Sequence, residues 1–213
     1  MASFTELKSG NDANIFKALD FALFVKPYGE ITDEIESIWT TVDGLMVPPD
    51  YEPLGYTTKG DTSWSRDQNW SEVESHGESE PTRRDNTRDV EGLSLTAQET
   101  NAVVLALYKD MHLDGITPDT DGGIRIKKGS RPAGRYWHVL GVAKDGDGPN
   151  AVYVARWLPR AQVTEMGAQN WSEDSELQYP MTLTAKTDPT VGSSMVELYG
   201  GPGWDAAARG FGV

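Results

Sequence analysis

At 213 residues the chain is long enough for one sizeable domain, or one domain with extended arms. Thirty-three acids against nineteen bases give a formal net charge of −14, which argues against tight nucleic-acid binding, where Lys and Arg must neutralise phosphate. The absence of cysteine excludes a disulfide framework and a thiolate metal site. The N-terminal residues lack an apolar signal-type core and no run reaches the length of a membrane span, so the expectation is a soluble protein made in the cytoplasm without an export signal.

Residues 1–20 are polar and weakly patterned and read as an N-terminal arm. Phe21–Lys26 is a short apolar run stopped by Pro27 and Gly29, the first expected strand. From Glu30 to Glu52 there are seven carboxylates and no Lys or Arg. Ile31, Ile35, Ile38 and Trp39 fall there at helical spacing, and Val47-Pro48-Pro49-Asp50 ends any helix. Leu54–Thr58 and Thr62–Ser65 flank Lys59-Gly60-Asp61 as a candidate hairpin. Residues 67–91 are polar, with Trp64 and Trp70 interleaved nearby and a basic knot at Arg83, Arg84 and Arg88. A structureless link of that length inside a compact domain is unusual, so the expectation is a strand with a projecting loop or arm.

One α-helix is expected at about 97–110. Thr96-Ala97-Gln98-Glu99 fits a capping box, and Val103, Val104, Leu107, Tyr108 and Met111 recur on one face. Asp119–Gly123 reads as a turn and Ile124–Lys128 as a short strand. That strand opens a stretch to Arg135 with five bases and no acid. The core is expected in Arg135–Lys186. Tyr136–Ala143 and Ala151–Leu158 are rich in aromatic and β-branched residues and are joined by Lys144–Asn150, whose Gly and Asn accept positive φ. Both faces of Tyr136–Ala143 are apolar, which places it mid-sandwich or under a helix. Tyr179, Met181, Leu183 and Ala185 alternate with polar residues, and Pro180 points to an edge strand. The Gly-rich stretch 188–213 reads as a flexible tail. The fold class is therefore mainly β: an antiparallel β-sandwich or barrel-like domain over 21–187 with one flanking helix.

No catalytic, cofactor or metal site is assigned. His76, His112 and His138 are far apart, with His138 expected as a packed side chain, and no HExxH, Gly-x-Ser-x-Gly, Walker or dinucleotide pattern occurs. The Asp-Gly clusters lack EF-hand spacing, and carboxylate pairs for a glycosidase arise by chance among so many acids. Of the seven Trp, Trp137 and Trp157 read as core. Trp64, Trp70, Trp171 and Trp204 read as loop aromatics that bury against another copy, which is how interfaces use them; sugar stacking is the competing reading.

The order of features is similar to a known family. Phe21–Lys26 with Pro-Tyr-Gly is followed by a Pro-rich segment and Leu54-Gly55-Tyr56-Thr57-Thr58-Lys59-Gly60. Next comes a polar arm ending Thr-Arg-Arg-Asp-Asn-Thr, then Leu93–Tyr108 with its Glu-Thr-Asn and Val-Leu pattern, then the strands to Ala185. Over residues 20–187 this resembles the major tail, or tail tube, proteins of long non-contractile tailed phages, especially those of actinobacteria. The resemblance implies a β-sandwich flanked by a helix, forming hexameric rings that stack around the DNA path in the virion tail after assembly in the host cytoplasm. It also implies tape-measure, tail terminator and distal tail proteins as partners, and double-stranded DNA passing through the lumen unbound. Some relatives carry an extra C-terminal immunoglobulin-like domain, which is not expected in the residues after Asp188.

The residues permit a tube subunit, a β-sandwich binding module (decoration, adhesion or carbohydrate) or, ranked last, an acid–base hydrolase. For a tube, the interface candidates are Trp64, Trp70, Arg83, Arg84, Arg88, Arg125, Lys127 and Lys128. The acidic Glu30–Glu52 stretch is expected to meet the basic Ile124–Arg135 stretch across a subunit boundary. Lumen candidates are Glu165, Glu173, Asp174 and Glu176, or the Glu30–Glu52 stretch itself.

Overall fold

Ten strands and one α-helix are found among the described residues: β1 (Asp20–Pro27), β2 (Trp39–Thr40), β3 (Gly44–Leu45), β4 (Glu52–Pro53), β5 (Ser63–Val73), β6 (Arg83–Ala97), α1 (Ala102–Tyr108), β7 (Tyr136–Asp145), β8 (Val152–Met166), β9 (Tyr179–Ala185) and β10 (Val196–Gly200). The structure, a computed structural model, describes residues 4, 8, 10–29, 31, 34–40, 44–112, 117–127 and 133–211. The fold is mainly antiparallel β. An eight-stranded sheet runs in the order β4-β1-β7-β8-β9-β6-β5, with β10 added to β8, and β2 and β3 pair separately.

β7 and β8 form the centre. They pair from Tyr136↔Gln162 to Asp145↔Val152, with a register shift between Trp137 and Val139. Pro159 falls within that irregularity, where a missing ladder donor is tolerated. Both faces of β7 are buried. Trp137 and Val139 join a core with Leu93, Leu95, Leu158 and Leu183 that packs beneath Val104 and Leu107 of α1. Leu140 and Val142 face the other way, into a core with Trp157, Ile35 and Ile38. β8 serves three neighbours: β7 along most of its length, β10 over Tyr153–Trp157 and β9 over Ala161–Met166.

Several expectations are corrected. α1 begins at Ala102, because Thr96 and Ala97 belong to β6. The cap is Asn101, whose side chain accepts from Val104 N at 2.8 Å, and Glu99 instead accepts from Tyr56 N. Residues 56–58 pair with 96–98 (Thr58 N to Thr96 O, Gln98 N to Tyr56 O), so they make no hairpin with Thr62–Ser65. β9 is interior, between β8 and β6, although it carries Pro180. Described residues 31 and 34–38 hold no helix; Ile35 and Ile38 are core residues on an irregular segment. Ile124 makes only an isolated bridge to Pro118, and described residues 125–127 are not strand. The stretch read as a loose Gly-rich tail carries β10, which binds β8 from Val196↔Trp157 to Gly200↔Tyr153.

Candidate functional site

β5 and β6 leave the domain together. Their ladder runs from Ser63↔Ser94 to Val73↔Arg83, whereas β9 pairs with β6 only over Gly92–Ala97. Beyond Asp67 the ribbon is exposed on both faces and extends for about 20 Å at strand rise. Trp70 is 55% exposed and Val73 48%. The loop closes through Thr82 N to Val73 O and the Ser75–Thr82 hydroxyl contact at 3.0 Å.

The basic knot is matched by acids on the ribbon itself. Arg84 pairs with Glu72 at 2.8 Å, Arg88 with Asp67 at 3.0 Å and Arg83 with Asp85 at 2.7 Å. Arg66 forms a two-pronged pair with Asp89 at 2.7 and 2.6 Å. That hydrogen bonding from Arg66 holds the Asp89 carboxyl at about 2 and raises the guanidinium. Exposed pairs of this kind contribute little to stability; those that cross between β5 and β6 favour the observed register, and together the pairs neutralise the arginines of the ribbon.

The other candidates fall in different places. Trp64 is half-buried, with its ring against Gly141 and the Arg156 guanidinium 5.3 Å above it. Arg156 also pairs with Glu197 of β10 at 2.7 Å. Trp204 stacks on Tyr199 at 5.7 Å and lies under Arg209. Trp171 is 89% exposed. The tryptophans thus share no flat platform for a sugar. Arg125 and Lys127 are exposed and make no ion pair among the described residues; Lys128 lies outside the described residues. In the acidic stretch Asp50 pairs with Lys26 at 3.4 Å, while Glu30, Asp33 and Asp43 lie outside the description.

Glu165 is exposed opposite Thr182, at the register shift of β8. Glu173 and Asp174 are exposed between β8 and β9. Glu176 accepts from Gln178 and Gln98, which hold its carboxyl at about 2.

Two further features stand out. The first is a buried polar cluster where β1 ends. Tyr28 donates to Asp188 at 2.8 Å, His138 Nε2 accepts from Gly29 N at 3.1 Å, and Arg160 lies over the Tyr136 ring at 4.2 Å. Burial pushes the His138 imidazole down. Burial alone would raise Asp188, but the Tyr28 hydroxyl and the Thr190 and Val191 amides hold it below the usual range. The second is a sheet face of hydroxyl side chains. Ser94 and Thr182 meet across β6 and β9 at 3.0 Å, and Thr164 and Thr184 across β8 and β9 at 2.8 Å. The alternation of Thr182 and Thr184 with apolar residues already marks the wet face of β9, and Ser and Thr are among the side chains expected on a lumen surface; the cross-strand hydroxyl contacts are what the fold adds. Among the described residues no group of three metal-ligating side chains converges, and no helix is long and apolar enough to cross a membrane.

The described residues form a mainly antiparallel β fold with one flanking helix and a projecting two-stranded ribbon. The profile of the phage tail tube protein family matches residues 31–195, most of the sheet and all of α1. The chain belongs to that family: it is a structural component of a phage tail, a virion protein of a non-enzymatic family. Among solved structures, a chain of the anti-feeding prophage baseplate (cryo-EM, 6-fold symmetrised) is similar over 86% of this chain and 97% of that one, at 14% identity and TM-score 0.46. A crystal structure of Hcp protein is similar over 83% and 97%, at 9% identity and TM-score 0.31. No curated protein matches the chain.

Proposed function

We propose that the chain closes into rings, hexameric as the resemblance implies, which stack into the tube through which phage DNA passes. Tape-measure, tail terminator and distal tail proteins are its partners in the tail. The observation that carries this reading is the β5–β6 ribbon. A two-stranded ribbon with both faces in water is marginal by itself, and one ending in exposed Trp70 and Val73 is completed by a neighbouring subunit. A ring requires two different patches meeting head to tail. Arg125 and Lys127 of one copy, which make no ion pair among the described residues, and the acidic Glu30–Glu52 stretch of the next supply complementary charge that sets register.

Size-exclusion chromatography with negative-stain imaging of the purified chain tests the proposal. Rings or tubes are expected, and they are expected to disappear when residues 68–87 are replaced by a short turn that leaves the domain folded. A chain that stays monomeric at every concentration, with or without the ribbon, overturns it.

A further inference from the structure

The core beneath α1 thins out toward the β7–β8 turn. Val25, Val139 and Leu158 are in cross-strand register and fully buried. One step along, Leu23, Gly141 and Arg156 are in register, and the missing Cβ of Gly141 makes room for the Trp64 ring. At the next step Phe21, Ala143 and Val154 are only half-buried. They line a groove of about 860 Å³ together with Leu19, Tyr56 and Trp64, and Leu19 and Tyr56 are 63% and 78% exposed.

A sheet face that buries its core residues but leaves the adjoining apolar row partly in water marks a contact surface. Charge does not select the partner, because Asp20, Lys59 and Glu99 around the groove are of mixed sign. Shape and reach do. Trp64 in the groove and exposed Trp70 lie on one side of β5 by alternation. The extra residue at the register shift is Thr87 of β6, so the alternation of β5 is unbroken. At strand rise Trp70 stands about 20 Å beyond Trp64, and the β5–β6 ladder holds the ribbon extended. A chain therefore cannot place its own Trp70 in its own groove, but a second copy can.

We propose that this groove receives Trp70 from the ribbon of a neighbouring copy. The proposal rests on the tube reading above and deepens it by naming what completes the ribbon. Knob and hole sit on one strand about 20 Å apart, so the contact joins unlike patches and repeats head to tail from copy to copy. An aromatic side chain seated in an apolar pocket is the kind of anchor that carries most of an interface's binding energy. The same ring covers Phe21 and Val154, completing the row that a single chain leaves open.

Ser71 and Lys59 are exposed and the chain has no cysteine. Ser71→Cys with Lys59→Cys therefore puts one thiol beside the knob and one at the groove without touching the core. A short bis-maleimide is added to tubes of this double variant, to tubes of each single variant, and to tubes mixed from the two. A ladder of covalent multimers is expected from the double variant, covalent dimers from the mixture, and neither from a single variant alone. Trp70→Ala is expected to keep the wild-type melting temperature while raising the concentration needed for assembly at least about tenfold. Tubes that give only unlinked chains, links within one chain, or equal linking in a single variant overturn the proposal and leave the tube reading intact. Assembly of Trp70→Ala at the wild-type concentration does the same. A wild-type chain that forms no tubes in solution or in tails removes both.

Discussion

The Tyr108 hydroxyl donates to the Gly167 carbonyl at 2.5 Å, supplying a bond that Pro180 lacks the N–H to make. Gly167 N donates to Pro180 O at 2.9 Å, so the two residues form the next antiparallel pair after Met166↔Met181. In such a pair the reciprocal donor is the N–H that proline does not have. A helix side chain thereby completes a sheet ladder, and an interior strand tolerates proline. Tyr108→Phe is expected to lower stability by about 1 kcal/mol in urea denaturation. In a Pro180→Ala background, where an N–H is restored, the same change should cost less. Equal costs in the two backgrounds would show that the two residues do not share the acceptor.

His138 predicts a pH dependence. Its imidazole is pushed down by burial, with nearby Lys26 acting in the same direction, so the unfolded chain takes up this proton first as pH falls. The stability it confers is complete above about pH 6.5 and is lost as pH falls toward the lowered folded value. Asp188 is also depressed, but its contribution begins to fade only below about pH 4. His138→Gln should flatten the stability profile between those two limits and leave the steeper acid limb. A profile with an unchanged slope near pH 6 would remove His138 as its cause.

Gly55 sits at φ +91° directly over Glu99, which accepts from Tyr56 N at 2.7 Å. Asn101 donates to Leu54 O at 2.9 Å while capping α1. Gly55→Ala combines a left-handed backbone with a Cβ that collides with the Glu99 carboxylate, and more than about 1 kcal/mol should be lost. Asn101→Ala should cost about 1 kcal/mol through the cap. Thermal unfolding of both variants measures this, and wild-type melting of Gly55→Ala would contradict the geometry.

The same junction shows how far the sequence could be read. Leu54–Gly60 and the Glu-Thr-Asn of 99–101 carry much of the family resemblance, and in the fold they hold each other; their separate readings, as hairpin and capping box, missed that contact. Thr96 and Glu99 imitate a cap at the right spacing, but Thr96 is held in β6 by pairing with Pro180. Local pattern suffices for β7 and β8, whose aromatic and β-branched residues bury on both faces. It fails for β10, where five residues among glycines become a strand only through a distant partner, and for β9, where the substitute donor comes from α1. The charge pairs that cross the ribbon, Arg66–Asp89, Arg84–Glu72 and Arg88–Asp67, depend on a register that no spacing rule supplies.

On that ribbon, Arg66→Gln should let the Asp89 carboxyl, now at about 2, titrate closer to the usual range, without a measurable change in global stability since the pair is exposed. NMR titration of the Asp89 side chain reads this directly. An unmoved titration would mean that Arg66 is not what holds it down.

Reversing Arg125, Lys127 and Lys128 to Glu should impair ring assembly while the monomer keeps its circular dichroism and melting temperature. Individual exposed pairs are worth only ~0–1 kcal/mol, so wild-type assembly should weaken gradually with salt. Normal tubes from the triple variant would count against the proposed contact with Glu30–Glu52.

β8 has a mechanical consequence. Its Tyr153–Trp157 half is gripped by β7 and β10, and its Ala161–Met166 half by β9, with β7 still paired at Ala161 and Gln162. Tension along this strand therefore loads several ladders in shear, so many hydrogen bonds must yield together and none can be peeled off singly. A tail that flexes under load would transmit its strain through these ladders, leaving the ribbon and the loops to deform first.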